Sequence, residues 1–323
     1  MRNIAVIGAG QIGSRHIQAL GQLSQDCNLY ILDGHPAALA TTKERVAEAQ
    51  PNPNIAHHYL SSAEALPATL DLAVIATSAE HRLAALKDLL AQAQVEQLIL
   101  EKVLFQQLEH YQVAAELLQA NQVQAWVNCP RRMMPSLAAL TQSLQGDIHY
   151  QVVGANWGMG CNAIHFIDHC AQLVGATSYE LDTSGLEPRI YQAKRPGCIE
   201  FAGTLRGRFK ECGSQFQLSC DIDEGKVSYQ TEISSAATQV AFATPGGEAT
   251  ITNRADASSQ TQRFSMPFQS ELTQLVAGSL FDTGTCELPS FQESAQLHLP
   301  FISELLEFTG NIGGHSSTTL SIT

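Results

Sequence analysis

Three glycines stand in the run Gly8-Ala9-Gly10-Gln11-Ile12-Gly13, between an apolar stretch and a helical pattern. This spacing suits a turn that must approach a diphosphate. Gly8 permits the tight turn, Gly10 lets the backbone come close to phosphate oxygens, and Gly13 lets the following helix pack on the strand. The amides of Gln11 and Ile12 belong to the helix N-terminus, whose dipole favours negative charge. Asp33 lies twenty residues past Gly13, at the end of a second strand pattern. A carboxylate there accepts hydrogen bonds from adenosine ribose hydroxyls and repels a 2′-phosphate, so NAD is expected ahead of NADP. Arg15 and the loop after Asp33 leave NADP as the lesser alternative.

A second group of residues could move protons. Lys102 directly follows a buried-looking strand and Glu101, on the edge where α/β proteins bind ligands. A positive nicotinamide nearby would lower its pKa, which suits acid–base work; the plainer alternative is a loop lysine paired with Glu101. His165 and Asp168 are three apart on a helical pattern and share a face. Asp168 could orient the imidazole or bind a hydroxyl, or the two could be a polar pair with a structural role. Cys161, His165 and His169 recur at i, i+4 and i+8, a stripe that could suit a soft metal, although pocket lining by Cys161 and packing by His169 is the better reading. Arg131 and Arg132 could clamp an anion or pin a domain junction. Asn128 and Trp157 are pocket candidates, the tryptophan as a stacking face for a sugar or as core.

The elements needed to hold these residues follow from periodicity. Strand patterns at Asn3–Gly8, Asn28–Asp33, Asp71–Thr77, Gln97–Glu101 and Val123–Asn128 alternate with helical ones at Gln11–Leu23, Pro36–Ala49, Glu80–Gln92 and Leu108–Ala120. That alternation predicts a parallel sheet with helices on both faces. Beyond Arg131 the rhythm changes to helices at Ser136–Leu144 and Ala163–Val174, a strand at Ile148–Asn156, strand-and-turn from Tyr179 to Arg263, and closing helices at Phe268–Phe281 and Phe291–Phe308. The expected fold is an α/β Rossmann domain over residues 1–128. An α+β substrate and oligomerisation domain with a large, mostly antiparallel open sheet follows over 129–323. The Ser/Thr-rich Gly313–Thr323 is expected to fray.

The chain has 323 residues with 44% hydrophobic and 15% charged side chains, enough apolar material for two packed cores. A formal charge of -13 opposes binding to nucleic acid or anionic lipid. No apolar run spans a bilayer and no basic leader precedes the first strand, so a cytoplasmic protein is expected. The eight cysteines are scattered with no C-x-x-C pair, and they are expected as thiols.

Several stretches together resemble the Gfo/Idh/MocA family of sugar and cyclitol oxidoreductases. They are the glycine fingerprint, Ala76-Thr77-Ser78-Ala79-Glu80-His81, Glu101-Lys102-Val103, Asn128-Cys129-Pro130-Arg131-Arg132-Met133-Met134-Pro135, and Asn156-Trp157-Gly158 followed by His165-Phe166-Ile167-Asp168. The resemblance covers nearly the whole chain. It implies hydride transfer between a nicotinamide and a hydroxyl-bearing carbon of a sugar, amino sugar, cyclitol or nucleotide sugar, without a metal. It places the Glu101–Lys102 pair at the cofactor–substrate junction; Thr77, Ser78 and His81 are further candidates on the cofactor side, and Asn128, Arg132, Trp157 and Asn162 are candidates for the substrate. Lys102 and His165, with Asp168, are assigned the proton transfer. It also implies a homodimer or homotetramer through the open sheet. The stretches at 128–135 and 156–168 resemble a subgroup met beside surface-glycan genes. Three departures stand out. Val103 replaces the usual proline, putting the cis-type turn in question; Cys161 replaces an acid four residues before the histidine; and Ser78 replaces the proline of a Thr-Pro pair. Two rivals stay in view: an NAD-recycling lyase or glycosidase, and a dinucleotide-binding sensor without chemistry, which Val103 and Cys161 keep alive.

Overall fold

The computed structural model describes residues 1–244, 246–313 and 318–323. The chain divides into two compact units, made of Met1–Phe105, Glu109–Met133 and Pro267–Gln292, and of Gln106–Leu108, Met134–Met266 and Glu293–Thr323.

The first unit begins with β1 (Arg2–Ile7), α1 (Gln11–Leu20), β2 (Cys27–Leu32), α2 (Pro36–Glu48), β3 (Ile55–Leu60), β4 (Thr69–Ile75), α3 (Ala79–Gln92), β5 (Gln94–Leu100), α4 (Glu109–Ala120) and β6 (Gln124–Val127). The strands form one parallel sheet in the order β3-β2-β1-β4-β5-β6. This is the dinucleotide-binding order, with its switch point between β1 and β4. The central strands are buried on both faces, which explains their uninterrupted apolar runs: Ile4, Val6, Leu72, Val74, Leu98 and Ile99 are all sequestered. The strand β3 escapes the sequence reading because Ile55-Ala56-His57-His58-Tyr59-Leu60 is short and polar in its middle. It is an edge strand, where such residues keep one side in water.

The second unit holds α5 (Pro135–Thr141), β7 (His149–Ala155), α6 (Met159–Val174), β8 (Tyr179–Leu186), a two-residue pair β9 (Tyr191–Gln192) and β10 (Ile199–Glu200), β11 (Gly203–Phe209), β12 (Gln215–Asp221), β13 (Ser228–Ser234), β14 (Thr238–Thr244), β15 (Gly246–Asn253) and β16 (Ser259–Ser265). Eight of these strands form a sheet in the order β16-β15-β14-β13-β7-β12-β11-β8. Every pairing is antiparallel except β7 with β12. Alternation along each strand sets the two faces. Leu205, Phe209, Phe216 and Leu218 turn inward, while Arg206, Arg208 and Gln215 stay exposed.

Two helices follow, α7 (Gln269–Thr283) and α8 (Phe291–Gly313). The sequence reading places both with the second domain, but α7 packs on α1. Its Val276, Ala277 and Leu280 join Ile4, Ile17, Leu20 and Trp126 in one core cluster. The physical reason is long-range burial: α1 has an apolar side left uncovered by the sheet's own helices, and α7 covers it.

The expected fraying is corrected over Thr318–Thr323. Leu320 and Ile322 are buried. The Leu320 amide donates to Gln106 O at 2.9 Å, Gln106 Nε2 donates to Ile322 O at 2.8 Å, and the Ile199 amide donates to Ser321 O at 2.8 Å. Apolar anchors and paired backbone groups outweigh the polar composition of the segment. Residues 314–317, also included in that expectation, lie outside the described ones. No helix among the described residues is long and apolar enough to cross a membrane.

The packing of α7 makes a prediction. Leu280→Ala should cost about 2–5 kcal/mol, the usual range for a fully buried leucine, read as a lower urea midpoint by circular dichroism. A loss below about 1 kcal/mol would show that α7 contributes little to this core.

Candidate active site

The glycine turn is built as its spacing requires. Gly8 has φ of +96°, and a Cβ there would lie 3.0 Å from the Thr77 amide across the switch point. A Cβ on Gly13 would lie 1.8 Å from Gly8 O, so only glycine fits where α1 meets the turn. A Cβ on Gly10 would meet nothing within 4 Å, which leaves the N-terminus of α1 open to approach. Gly10 is the N-cap of α1 and makes no side-chain cap bond, and the first turn, from Gln11 through Ile12 and Gly13, carries no acid. An uncapped, open helix N-terminus fits a diphosphate.

Asp33 braces this turn from β2. Its Oδ2 accepts from the Ala9 amide at 2.7 Å and its Oδ1 from the His35 amide at 2.8 Å. Each oxygen keeps a further lone pair for a ribose hydroxyl. Thr42 donates to Ala9 O at 3.0 Å. Arg45 donates to Ser14 Oγ at 2.6 Å and to Gln11 Oε1 at 2.9 Å, placing a cation beside the first turn of α1.

Thr77 and Ser78 lie on the loop after β4. Ser78 is the N-cap of α3, and the Thr77 hydroxyl is buried with no partner among the described residues. His81 is exposed, 4.0 Å from Glu80.

Glu101 is buried at the end of β5 inside a closed ring of hydrogen bonds. Its Oε1 meets His16 Nε2 at 2.9 Å and accepts from Asn128 Nδ2 at 2.5 Å. His16 Nδ1 meets Thr273 Oγ1 at 2.8 Å; Gln269 Nε2 donates to Thr273 Oγ1 at 2.9 Å, and Asn128 Nδ2 donates to Gln269 Oε1 at 2.9 Å. Burial pushes the Glu101 carboxyl pKa upward, but the bonds from His16 and Asn128 and the nearby charge of Lys102 outweigh it and hold the group below its ordinary value. Its Oε2 accepts from the Lys102 amide at 3.2 Å.

Lys102 is partly exposed, and the Lys102–Val103 peptide is cis. The turn that the valine put in question is therefore present. Sequence reading missed Arg82. Its side chain is buried under the same turn and donates to Val103 O, to Leu104 O at 2.9 Å and to Thr77 O at 2.5 Å. An arginine between exposed Glu80 and His81 and apolar Leu83 carries no local signal of burial.

Asn128, read as a substrate residue, sits buried in the Glu101 ring. Arg132 is partly exposed in a short 3₁₀ turn, Pro130–Met133, beside buried Arg131.

In the second unit, α6 follows its N-cap Gly158, which is in the left-handed conformation with φ of +75°. Glu200, from β10, caps it: its Oε2 accepts from the Gly160 amide at 2.6 Å and its Oε1 from the Cys161 amide at 3.2 Å. A carboxylate thus stands beside the position where Cys161 lacks one, delivered by a different element. Trp157 is buried, donates its indole N–H to Ser219 O at 2.9 Å, and meets Phe166 edge-on at 5.3 Å. Asn162 donates to Trp157 O at 2.5 Å. Along α6, His165 is partly exposed and Asp168 fully buried, while His169 packs against Tyr150 with Nδ1 2.9 Å from its hydroxyl. No disulfide forms.

Residues 2–129 match the model of the GFO_IDH_MocA oxidoreductase family, described as an NAD-binding Rossmann fold. Over those residues the chain is similar to that family. No protein of curated function matches the sequence. Solved structures share the fold over nearly the whole length. UDP-N-acetylglucosamine 3-dehydrogenase GnnA from Acidithiobacillus ferrooxidans is 14% identical with a TM-score of 0.70, covering 94% of this chain and 96% of that one. Levoglucosan dehydrogenase, in complex with NADH and L-sorbose, is 15% identical with a TM-score of 0.70, covering 96% and 97%. A super-repressor mutant of Gal80p from Saccharomyces cerevisiae is 12% identical with a TM-score of 0.70, covering 99% and 98%. One fold is thus shared by proteins with different descriptions, and the fold alone does not decide activity.

The Glu101 ring predicts a pH dependence. Because the folded pKa lies below the unfolded one, near 4.5, the unfolded chain binds the extra proton, and stability rises with pH through that window. The contribution is complete above the unfolded value and is lost as pH falls through the folded one. Urea unfolding between pH 3.5 and 7 should show a steeper acid-side loss for the wild type than for Glu101→Gln; equal slopes would refute the assignment.

Proposed function

We propose that the protein is an NAD-dependent oxidoreductase acting on a hydroxyl-bearing carbon of a sugar, amino sugar, cyclitol or nucleotide sugar. The observation that carries this reading is the first unit's ligand edge, where an open glycine turn braced by Asp33 shares the carboxyl side of one sheet with Lys102. The substrate class is supported by the likeness to GnnA, a UDP-N-acetylglucosamine 3-dehydrogenase, and to levoglucosan dehydrogenase. A surface-glycan role fits the resemblance of the 128–135 and 156–168 stretches.

Gly8, Gly10, Gln11, Ile12 and Gly13 would hold the diphosphate, Asp33 the adenosine ribose, and Thr77, Ser78, His81, Glu101 and Lys102 the approach to the nicotinamide. Bound there, the dinucleotide supplies a hydride acceptor or donor at its nicotinamide ring. Lys102 would hold or move the hydroxyl proton at Nζ. His165 would serve as proton acceptor or shuttle, with Asp168 fixing its orientation. Arg132 and Asn162 would offer polar contacts to the substrate; Asn128 and Trp157, engaged in internal hydrogen bonds, would shape the site from behind.

We further propose a cytoplasmic homodimer or homotetramer formed through the open face of the eight-stranded sheet. On that face Val153 is 48% exposed in the middle of β7.

Two measurements test the reading. NAD(H) should bind more tightly than NADP(H) by calorimetry, and Asp33→Ala should narrow the gap by roughly 1–3 kcal/mol, the cost of a charged hydrogen bond. Equal or tighter NADP(H) binding by the wild type would refute the cofactor assignment. With a sugar substrate found by an NAD-coupled absorbance screen, Lys102→Ala and His165→Ala should each lower kcat by about 10²–10⁴ while leaving NAD(H) affinity nearly unchanged. Undiminished turnover in either variant would remove that residue from the chemistry.

A further inference from the structure

Arg82 lies in the first turns of α3 and is only 1% exposed. A guanidinium withdrawn from water requires acceptors aligned with its donors. Three of its hydrogen bonds end on backbone carbonyls: Nη1 donates to Val103 O and to Leu104 O, and Nη2 donates to Thr77 O. These carbonyls belong to the loops after β4 and β5, neighbouring strands of the parallel sheet. One loop carries Thr77 and Ser78; the other carries Lys102, immediately before the first carbonyl held.

The backbone on either side is held in the same manner. The Lys102 amide donates to Glu101 Oε2, a carboxylate itself anchored by His16 and Asn128. The Tyr111 hydroxyl, buried, donates to Phe105 O at 3.1 Å. From Lys102 to Phe105, each residue has a backbone group fixed by a buried side chain. Valine at 103 has no ring to restrain its φ as a proline would, so the restraint is hydrogen-bonded rather than covalent.

We infer that Arg82 is a positioning residue for Lys102. It fixes the backbone that presents the Lys102 ammonium to the dinucleotide and joins that backbone to the Thr77–Ser78 loop, so that both ligand loops hold one register. The inference rests on the reading of Lys102 given under the proposed function. A residue serving stability alone would lower the melting temperature without changing how Lys102 responds to the cofactor.

The test needs no sugar substrate. The six lysines of the full chain are reductively dimethylated with ¹³C-formaldehyde, and the Lys102 signal is identified by its loss in Lys102→Arg. It is then titrated with pH by ¹H–¹³C NMR, without NAD⁺ and at NAD⁺ saturation. In the wild type, the positive nicotinamide ring should lower the Lys102 midpoint by about one pH unit, the scale of a like charge at short range. In Arg82→Gln, which lacks the charged fork, that NAD⁺-dependent shift should fall below half. Arg82→Lys, which keeps a buried cation with fewer donors, should restore part of it and is read alone if the glutamine variant fails to fold. A full wild-type shift in the folded variants overturns the inference while leaving the reading of Lys102 intact. No shift in the wild type overturns the reading of Lys102, and the inference with it.

Discussion

The hydrogen bond between His16 and Glu101 is the interaction on which the first unit depends. A buried carboxylate is tolerable only when its lone pairs are met, and Glu101 meets them from α1, from the residue after β6, and from its own following amide. His16 is fixed in turn by Thr273 on α7. One charge therefore sets the distances among the helix that would bind the diphosphate, the strand end that presents Lys102, and a helix whose Thr273 lies 257 positions beyond His16. Apolar packing alone would allow these elements to slide; a ring of directed bonds does not.

The same device recurs at the other positions that would face a ligand. Asp33 is held by two amides before any ribose arrives, the loops at Thr77 and Val103 share one guanidinium, and Glu200 fixes the N-terminus of α6. In each case a charged side chain is oriented by backbone dipoles or by neighbouring side chains rather than by the ligand. Groups held in advance lose less conformational entropy when they act, which is how a scaffold contributes to binding and catalysis without touching the reacting atoms.

What could be read from the sequence was local. Gly8 and Gly13 have a steric reason for being glycine, Gly10 leaves the helix N-terminus open, and the alternation of apolar runs with helical patterns states the parallel sheet directly. The strand-and-turn pattern from Tyr179 to Arg263 likewise states a mostly antiparallel second sheet. The residues that escaped are those whose role is set by distant partners. Arg82 reads as one more charge on a helix surface, because nothing near it in sequence shows three carbonyls converging on it. Glu200 is separated by 39 positions from the Cys161 amide it binds. Trp157 offers the same letters whether it stacks on a sugar or fills a core, and only its bond to Ser219 and its contact with Phe166 show how it is engaged. The Ser/Thr-rich tail reads as loose because its two anchors, Leu320 and Ile322, are few, yet both are buried.

The return of α7 to the first unit has a consequence for biosynthesis. Chains emerge from the ribosome in order, and domains ordinarily fold as they appear. Here the glycine turn and its helix are made first, but the side of α1 that α7 covers, and the threonine that completes the His16 bond, are encoded after the entire eight-stranded sheet. The nascent dinucleotide-binding half must therefore wait, with an apolar stripe and a buried histidine unmatched, until residues near 292 have been added. A chain truncated within Met134–Met266, before α7, would leave that stripe permanently open.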